Sequence, residues 1–138
     1  MKEENKKILS EYRMRKAIET LKDAKIIFED GYLHSCVNRI YYAVFYAVNA
    51  VLIRQGMYST KHSGVKSLLH KEFVKTGIIP EKFGDFYTNI FKMRNTGDYE
   101  DFTEFKKKEV KGWLKEAEIF IEEIKKVIKN VDAGTGFK

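Results

Sequence analysis

The chain has 138 residues, 43% of them hydrophobic and 33% charged, with a formal net charge of +6. That length and apolar share suit one domain with its own core, and no uninterrupted apolar stretch approaches the ~20 residues that span a bilayer. The lone Cys36 excludes an internal disulfide, while the charge fits phosphate-rich partners but is modest for a dedicated nucleic-acid binder. Since Met1 to Lys7 leads into no signal-type apolar run, a cytoplasmic protein without membrane attachment is expected.

Helical periodicity runs through the whole sequence, with no convincing strand and no internal repeat. A first helix is expected from about Ser10 to Asp30, because Met14, Ala17, Ile18, Leu21, Ala24 and Phe28 recur at three- and four-residue steps; Gly31 then suits a left-handed cap. A second, Leu33 to Gln55, carries Val37, Ile40, Tyr41, Val44, Val48, Val51 and Leu52 as its apolar stripe, with Gly56 after it. A shorter third holds Val65, Leu68, Leu69 and Phe73 and ends at Gly77.

Pro80 stands just before a fourth helix, where its missing N–H does little harm, and Phe83, Phe86, Tyr87, Ile90 and Phe91 give that helix an aromatic face. It is expected to finish near Arg94 to Gly97. A polar loop, Asn95 to Thr103, leads to the last helix, whose stripe from Val110 to Ile128 is the most regular; Asp101 and Glu104 offer it a capping box. The tail 132–138 should fray. The reading is a single all-α domain over 1–138, with a core of about 10–130: a five-helix up-and-down bundle.

Two constellations could carry chemistry. On the second helix Asn38, Tyr42, Tyr46 and Asn49 fall within an arc of roughly 80°, with Arg39 beside them. Such a stripe is either a set of tyrosines packed at a helix or subunit interface, or the wall of a groove for a phosphate or base. The other is Arg94-Asn95-Thr96-Gly97-Asp98-Tyr99, where arginine offers a fork of donors to phosphate and Gly97 lets the chain turn. Its plainer reading is a helix end in which Arg94 complements the dipole. Lys61 and His62 stand where a helix N-terminus could bind an anion, or are merely surface caps. Cys36 reads as a small buried thiol and the run Lys106 to Lys108 as solvated surface; no metal-ligand spacing or cofactor motif is found.

These segments together resemble the HEPN family: Val37-Asn38-Arg39-Ile40-Tyr41-Tyr42-Ala43-Val44-Phe45-Tyr46, Lys61-His62-Ser63-Gly64-Val65, Phe73-Val74-Lys75-Thr76-Gly77 and Arg94-Asn95-Thr96-Gly97-Asp98-Tyr99. The likeness covers about Ser10 to Ile128. It implies a two-fold dimer that brings both arginine-led motifs into one cleft, often metal-independent RNA cleavage, and pairing with a minimal nucleotidyltransferase as a toxin–antitoxin system. In the active family pattern a histidine follows the arginine; here the corresponding positions are Tyr99, Glu100 and Asp101. A phenol with a reference pKa near ~10 is a poor base at neutral pH. A family variant bears a tyrosine two residues beyond that histidine, open to modification with AMP by the partner; Asp101 stands there, and Tyr99 does not. The expected function is therefore a toxin-like protein contacting RNA or nucleotide through Arg39, Arg94, Asn95, Asp98 and Tyr99, with Arg94 and Tyr99 as the candidates for catalysis. Its rival is a non-catalytic dimeric scaffold that recruits the nucleotidyltransferase.

Overall fold

The computed structural model describes residues 1–134. Five α-helices form among the described residues: α1 (Glu3–Glu29), α2 (Leu33–Arg54), α3 (His62–Leu69), α4 (Glu81–Tyr99) and α5 (Lys107–Asp132). α3 runs on into a π-helical turn, His70–Val74, closed by the Lys75 N–H bonding the His70 carbonyl at 2.8 Å. The fold is the expected all-α bundle. α2 is its axis and touches each of the other four helices.

That central place explains the composition of α2. It has the length and hydropathy of a membrane-crossing helix, yet most of its apolar window is buried by its neighbours. Ile40, Val44, Val48 and Val51 face a core completed by Ala17 and Leu21 of α1, Tyr87 and Ile90 of α4, and Phe120 and Ile124 of α5. The part of α2 left half-buried includes Asn38, Arg39, Tyr42, Tyr46 and Asn49, the stripe singled out in the sequence. Cys36 is buried and bonds the Ala24 carbonyl through Sγ at 3.3 Å; burial pushes its thiol pKa up to about 12, as suits a structural cysteine.

Four boundaries differ from the sequence reading. α1 begins at Glu3 rather than near Ser10, because Glu3 is held by Lys6 at 3.0 Å and by Arg54 at 3.1 Å, and acidic residues favour a helix N-terminus. Ser10 lies inside the helix, buried, with its hydroxyl donating to the Ala50 carbonyl at 2.7 Å. Arg54 also grips Asp132 at 2.6 Å, so that residue belongs to α5 rather than to a fraying tail; of the rest of that expected tail, 135–138 lie outside the described residues.

α4 does not finish at Arg94 to Gly97 but continues to Tyr99. Gly97 makes no turn there. It is helical, and its missing side chain admits the Phe105 ring, which would lie 2.7 Å from a Cβ at that position. Phe105 reaches back to Gly97 and packs on His34 and Trp113, Lys106 is extended, and α5 starts at Lys107 without the expected Asp101–Glu104 capping box.

Candidate functional site

The helical course of α4 decides what the Arg94 motif can do. With Asn95 to Tyr99 in the helix, Arg94 and Asp98 stand one turn apart on one face, and Nε of Arg94 lies 3.4 Å from the Asp98 carboxylate without the alignment of a hydrogen bond. Arg94 is only 9% exposed, a rare setting for a charged side chain. Its neighbours hold the charge there: Nη1 donates to Asn95 Oδ1 at 2.7 Å, Nη2 donates to the Tyr42 hydroxyl at 3.0 Å, and the guanidinium lies 5.0 Å from the Tyr41 ring centroid. Burial pulls its pKa down, but Tyr42 and the other tyrosines more than offset that, so the arginine is firmly cationic.

A polar ladder joins α4 to α2. Asn38 Nδ2 donates to Asp98 at 3.0 Å, and Arg39 donates from Nε and Nη2 to Asn38 Oδ1 at 3.2 and 2.9 Å. Both guanidiniums lie over the Tyr42 ring, Arg39 at 5.0 Å and Arg94 at 5.4 Å from its centroid. The two arginines therefore share one tyrosine and one carboxylate-anchored network. Asp98 is the acceptor that anchors that network.

His62 joins the cluster from α3. Its ring stacks on Phe45 at 4.5 Å and 17°, meets the Tyr42 ring edge-on at 5.7 Å, and places Nδ1 2.7 Å from the Tyr41 hydroxyl. Burial, followed by the Arg94 charge, holds its pKa below the usual histidine value. A Cβ at Gly64 would collide with Ser59 Oγ, the side chain that receives the Lys61 N–H at the start of α3. His62 is thus more than a surface cap; Lys61 beside it is exposed, and its backbone bonds the Ser59 hydroxyl.

Of the remaining expected residues, Tyr46 extends the aromatic wall, 6.0 Å from Tyr42, and carries the Lys16 ammonium over its ring at 4.7 Å. Tyr99 is 76% exposed at the rim, with Arg94 5.9 Å from its ring centroid. Asn49 turns inward on its own helix and bonds the Phe45 carbonyl at 2.9 Å.

Tyr41, a residue of the apolar stripe and of the family-like segment but not among the candidate site residues, is the hub of the site. It is fully buried, touches Tyr42, Phe45, His62 and Phe91, and burial pushes its pKa up to about 12. The signal for this was the Tyr41-Tyr42 pair itself, since adjacent helical positions point about 100° apart and one of two tyrosines must face inward. The arrangement is a cation held by tyrosines at the edge of a half-open aromatic wall, which suits an oxyanion with a planar base attached. Among the described residues no three His, Cys, Asp or Glu side chains gather as metal ligands.

Comparison with known proteins finds relatives that cover most of the chain. A family model described as HEPN domain matches residues 10–127. A Thermotoga maritima protein named "UPF0332 protein" is 46% identical over 93% of this chain and 96% of its own. Two Methanocaldococcus jannaschii proteins are similar as well: "Putative toxin MJ0142", 32% identical over 88% of this chain and 84% of its own, and "Putative toxin MJ0605", 35% identical over 83% and 85%.

Proposed function

The chain belongs to the HEPN family, and from that premise we propose that it is a toxin-like protein whose Arg94 cleft holds a phosphate of RNA or of a nucleotide. The observation that carries the reading is the state of Arg94. Its guanidinium is buried, cationic and held by Tyr42, Asn95 and, through Nε, the Asp98 carboxylate, while one proton on each Nη is committed to no protein hydrogen bond. Buried donors of that kind are stabilised by an incoming oxyanion, and the Tyr42 hydroxyl and the cations over the Tyr42 and Tyr46 rings stand beside it. The names of the two Methanocaldococcus relatives support the toxin-like part of the reading.

The same proposal includes two protein partners and a cytoplasmic setting. A second copy of the chain would bring two Arg94 clefts together, and the exposed aromatic rings of Tyr99 and Phe102 at the rim are the kind of surface that a partner covers. A minimal nucleotidyltransferase would be the antitoxin-like partner. A non-catalytic binding module is favoured over a vigorous ribonuclease by one feature: beyond Arg94 the chain carries Tyr99, Glu100 and Asp101, none of which supplies an imidazole.

Fluorescence anisotropy with a labelled single-stranded RNA oligonucleotide, and separately with labelled AMP, tests the reading. The parent should bind one or both, and Arg94→Ala should lose about tenfold or more. Unchanged binding by that variant would reject the Arg94 cleft as the site.

A further inference from the structure

The imidazole of His62 and the guanidinium of Arg94 flank the same two rings. Tyr41 lies 5.0 Å from the Arg94 guanidinium carbon and 5.6 Å, ring to ring, from His62; Tyr42 lies 5.4 and 5.7 Å away in the same measures. One nitrogen of His62 is taken by the Tyr41 hydroxyl, and the other, Nε2, has no hydrogen bond within the described residues and is not sealed from solvent. Which of the two carries the proton decides what the imidazole can do.

The answer comes from Tyr87. Its hydroxyl is sealed in the core without a hydrogen-bond partner, and its ring lies 6.1 Å from that of Tyr41, whose hydroxyl acts on it electrostatically. Each hydroxyl has one proton to give. If Tyr41 donates to His62 Nδ1, its oxygen is free to receive the Tyr87 proton after a small adjustment, and every proton in the row has an acceptor. If Nδ1–H pointed at Tyr41 instead, the Tyr41 proton would turn to Tyr87 and the Tyr87 proton would be stranded in the core. A stranded buried donor is disfavoured, so Tyr87 and Tyr41 together hold His62 with a bare Nδ1 and its proton on Nε2.

Resting on the phosphate-binding reading above, we propose that His62 presents Nε2–H as a second, uncharged donor to the phosphate group that Arg94 holds, in the tautomer set by the Tyr87–Tyr41 hydroxyl row. The ligand chemistry is a phosphate oxygen on a nucleotide unit, either a phosphodiester within RNA or the terminal phosphate of a free nucleotide. Burial first, then the Arg94 charge from α4, favours the uncharged ring, as does the position of His62 at the start of α3, while Lys66 of its own helix lies over Phe91 and Tyr41 and Tyr42 from α2 are neutral. A ring with its proton on Nε2 holds a phosphate but takes no proton from a ribose 2′-hydroxyl, so His62 does not replace the histidine absent after Arg94.

The test uses the full chain with 15N-labelled histidine and long-range 1H–15N correlation at neutral pH. His62 should show a protonated Nε2 and a bare Nδ1, and addition of a short RNA oligonucleotide or of AMP should shift Nε2 of His62 while leaving His34 and His70 in place; the probe that produces the shift identifies the source of the phosphate. In binding assays His62→Asn should lose about fivefold or more, whereas His62→Gln, whose amide nitrogen stands near the place of Nε2, should retain most of the affinity. Tyr87→Phe removes the proton that would be stranded and should raise the Nδ1–H form. A protonated Nδ1 in the parent, an imidazolium at neutral pH, or no shift of His62 under a ligand whose binding needs Arg94 would overturn this proposal alone. Binding indifferent to Arg94 would overturn the phosphate-site reading beneath it.

Discussion

Asn38 and Asp98, sixty positions apart in the chain, meet in a 3.0 Å hydrogen bond that ties α2 to α4 beside the Arg94 guanidinium. The same carboxylate lies 3.4 Å from Arg94 Nε, so it positions the cation and also opposes an incoming phosphate. Asp98→Asn keeps the size and the bond to α2 but removes the negative charge. It should strengthen RNA or AMP binding by roughly threefold to tenfold, up to ~1.4 kcal/mol, with the gain largest at low salt. Weaker binding in this variant would mean that the charge of Asp98 is needed to orient Arg94.

Arg39 joins the Arg94 cluster through Asn38 and the Tyr42 ring, whereas Arg94 bonds the Tyr42 hydroxyl directly. Replacement of either by alanine is expected to weaken binding by about tenfold or more, a loss of at least ~1.4 kcal/mol. Lys107→Ala, on the lysine-rich start of α5, should bind like the parent. If Lys107 matters and neither arginine does, the ligand is on another face.

Gly97 and Gly112 make a matched pair for stability. Phe105 cannot withdraw from a Cβ at 97, being wedged against His34 and Trp113, so Gly97→Ala should cost about 1–2 kcal/mol of overpacking strain despite alanine's better helix propensity. Gly112, in α5, has nothing within 4 Å of its would-be Cβ, and Gly112→Ala should stabilise by about 0.5–1 kcal/mol. Thermal unfolding followed by circular dichroism should show Tm moving in opposite directions.

Light scattering at micromolar concentration should report about twice the 16.2 kDa chain mass. Phe102, fully exposed and in a left-handed backbone conformation at φ +61°, is the residue at which to challenge that dimer. Phe102→Ser should shift the mass toward the monomer; a parent that is already monomeric would remove the composite cleft from the proposal.

Intrinsic RNA cleavage should be feeble and unaffected by EDTA. A phenol at position 99 is a poor base near neutral pH, and Tyr99 stands at the rim with Arg94 5.9 Å from its ring. Tyr99→His should raise cleavage, leaving a 2′,3′-cyclic phosphate, and the gain should vanish when Arg94→Ala is added. Strong chelator-resistant cleavage by the parent that disappears in Tyr99→Phe would show that the hydroxyl does more than a neutral phenol is expected to.

The amphipathic stripes of α1, α2 and α5 were legible because each buries one set of side chains at helical spacing, and so was the polar face of α2, which interrupts that pattern with Asn38, Tyr42, Tyr46 and Asn49. The ends of helices were less so. The start of α1 depends on Arg54 holding Glu3, and the length of α4 on Phe105 filling the space beside Gly97; both are contacts between distant residues that periodicity does not encode.

From the sequence alone came an all-α chain, the HEPN resemblance, and Arg94 and the tyrosines as the residues of interest, since local spacing and residue chemistry are enough to fix which side chains share a helix face. Tertiary structure decided how they meet. It drew Arg94 among tyrosines, set Asp98 against it as an anchor, left Lys61 exposed, and folded α3 so that His62 reaches Tyr41 across 21 positions of sequence. Those relations arise from packing between helices, where burial sets both the charge state of a side chain and the hydrogen bonds it must find.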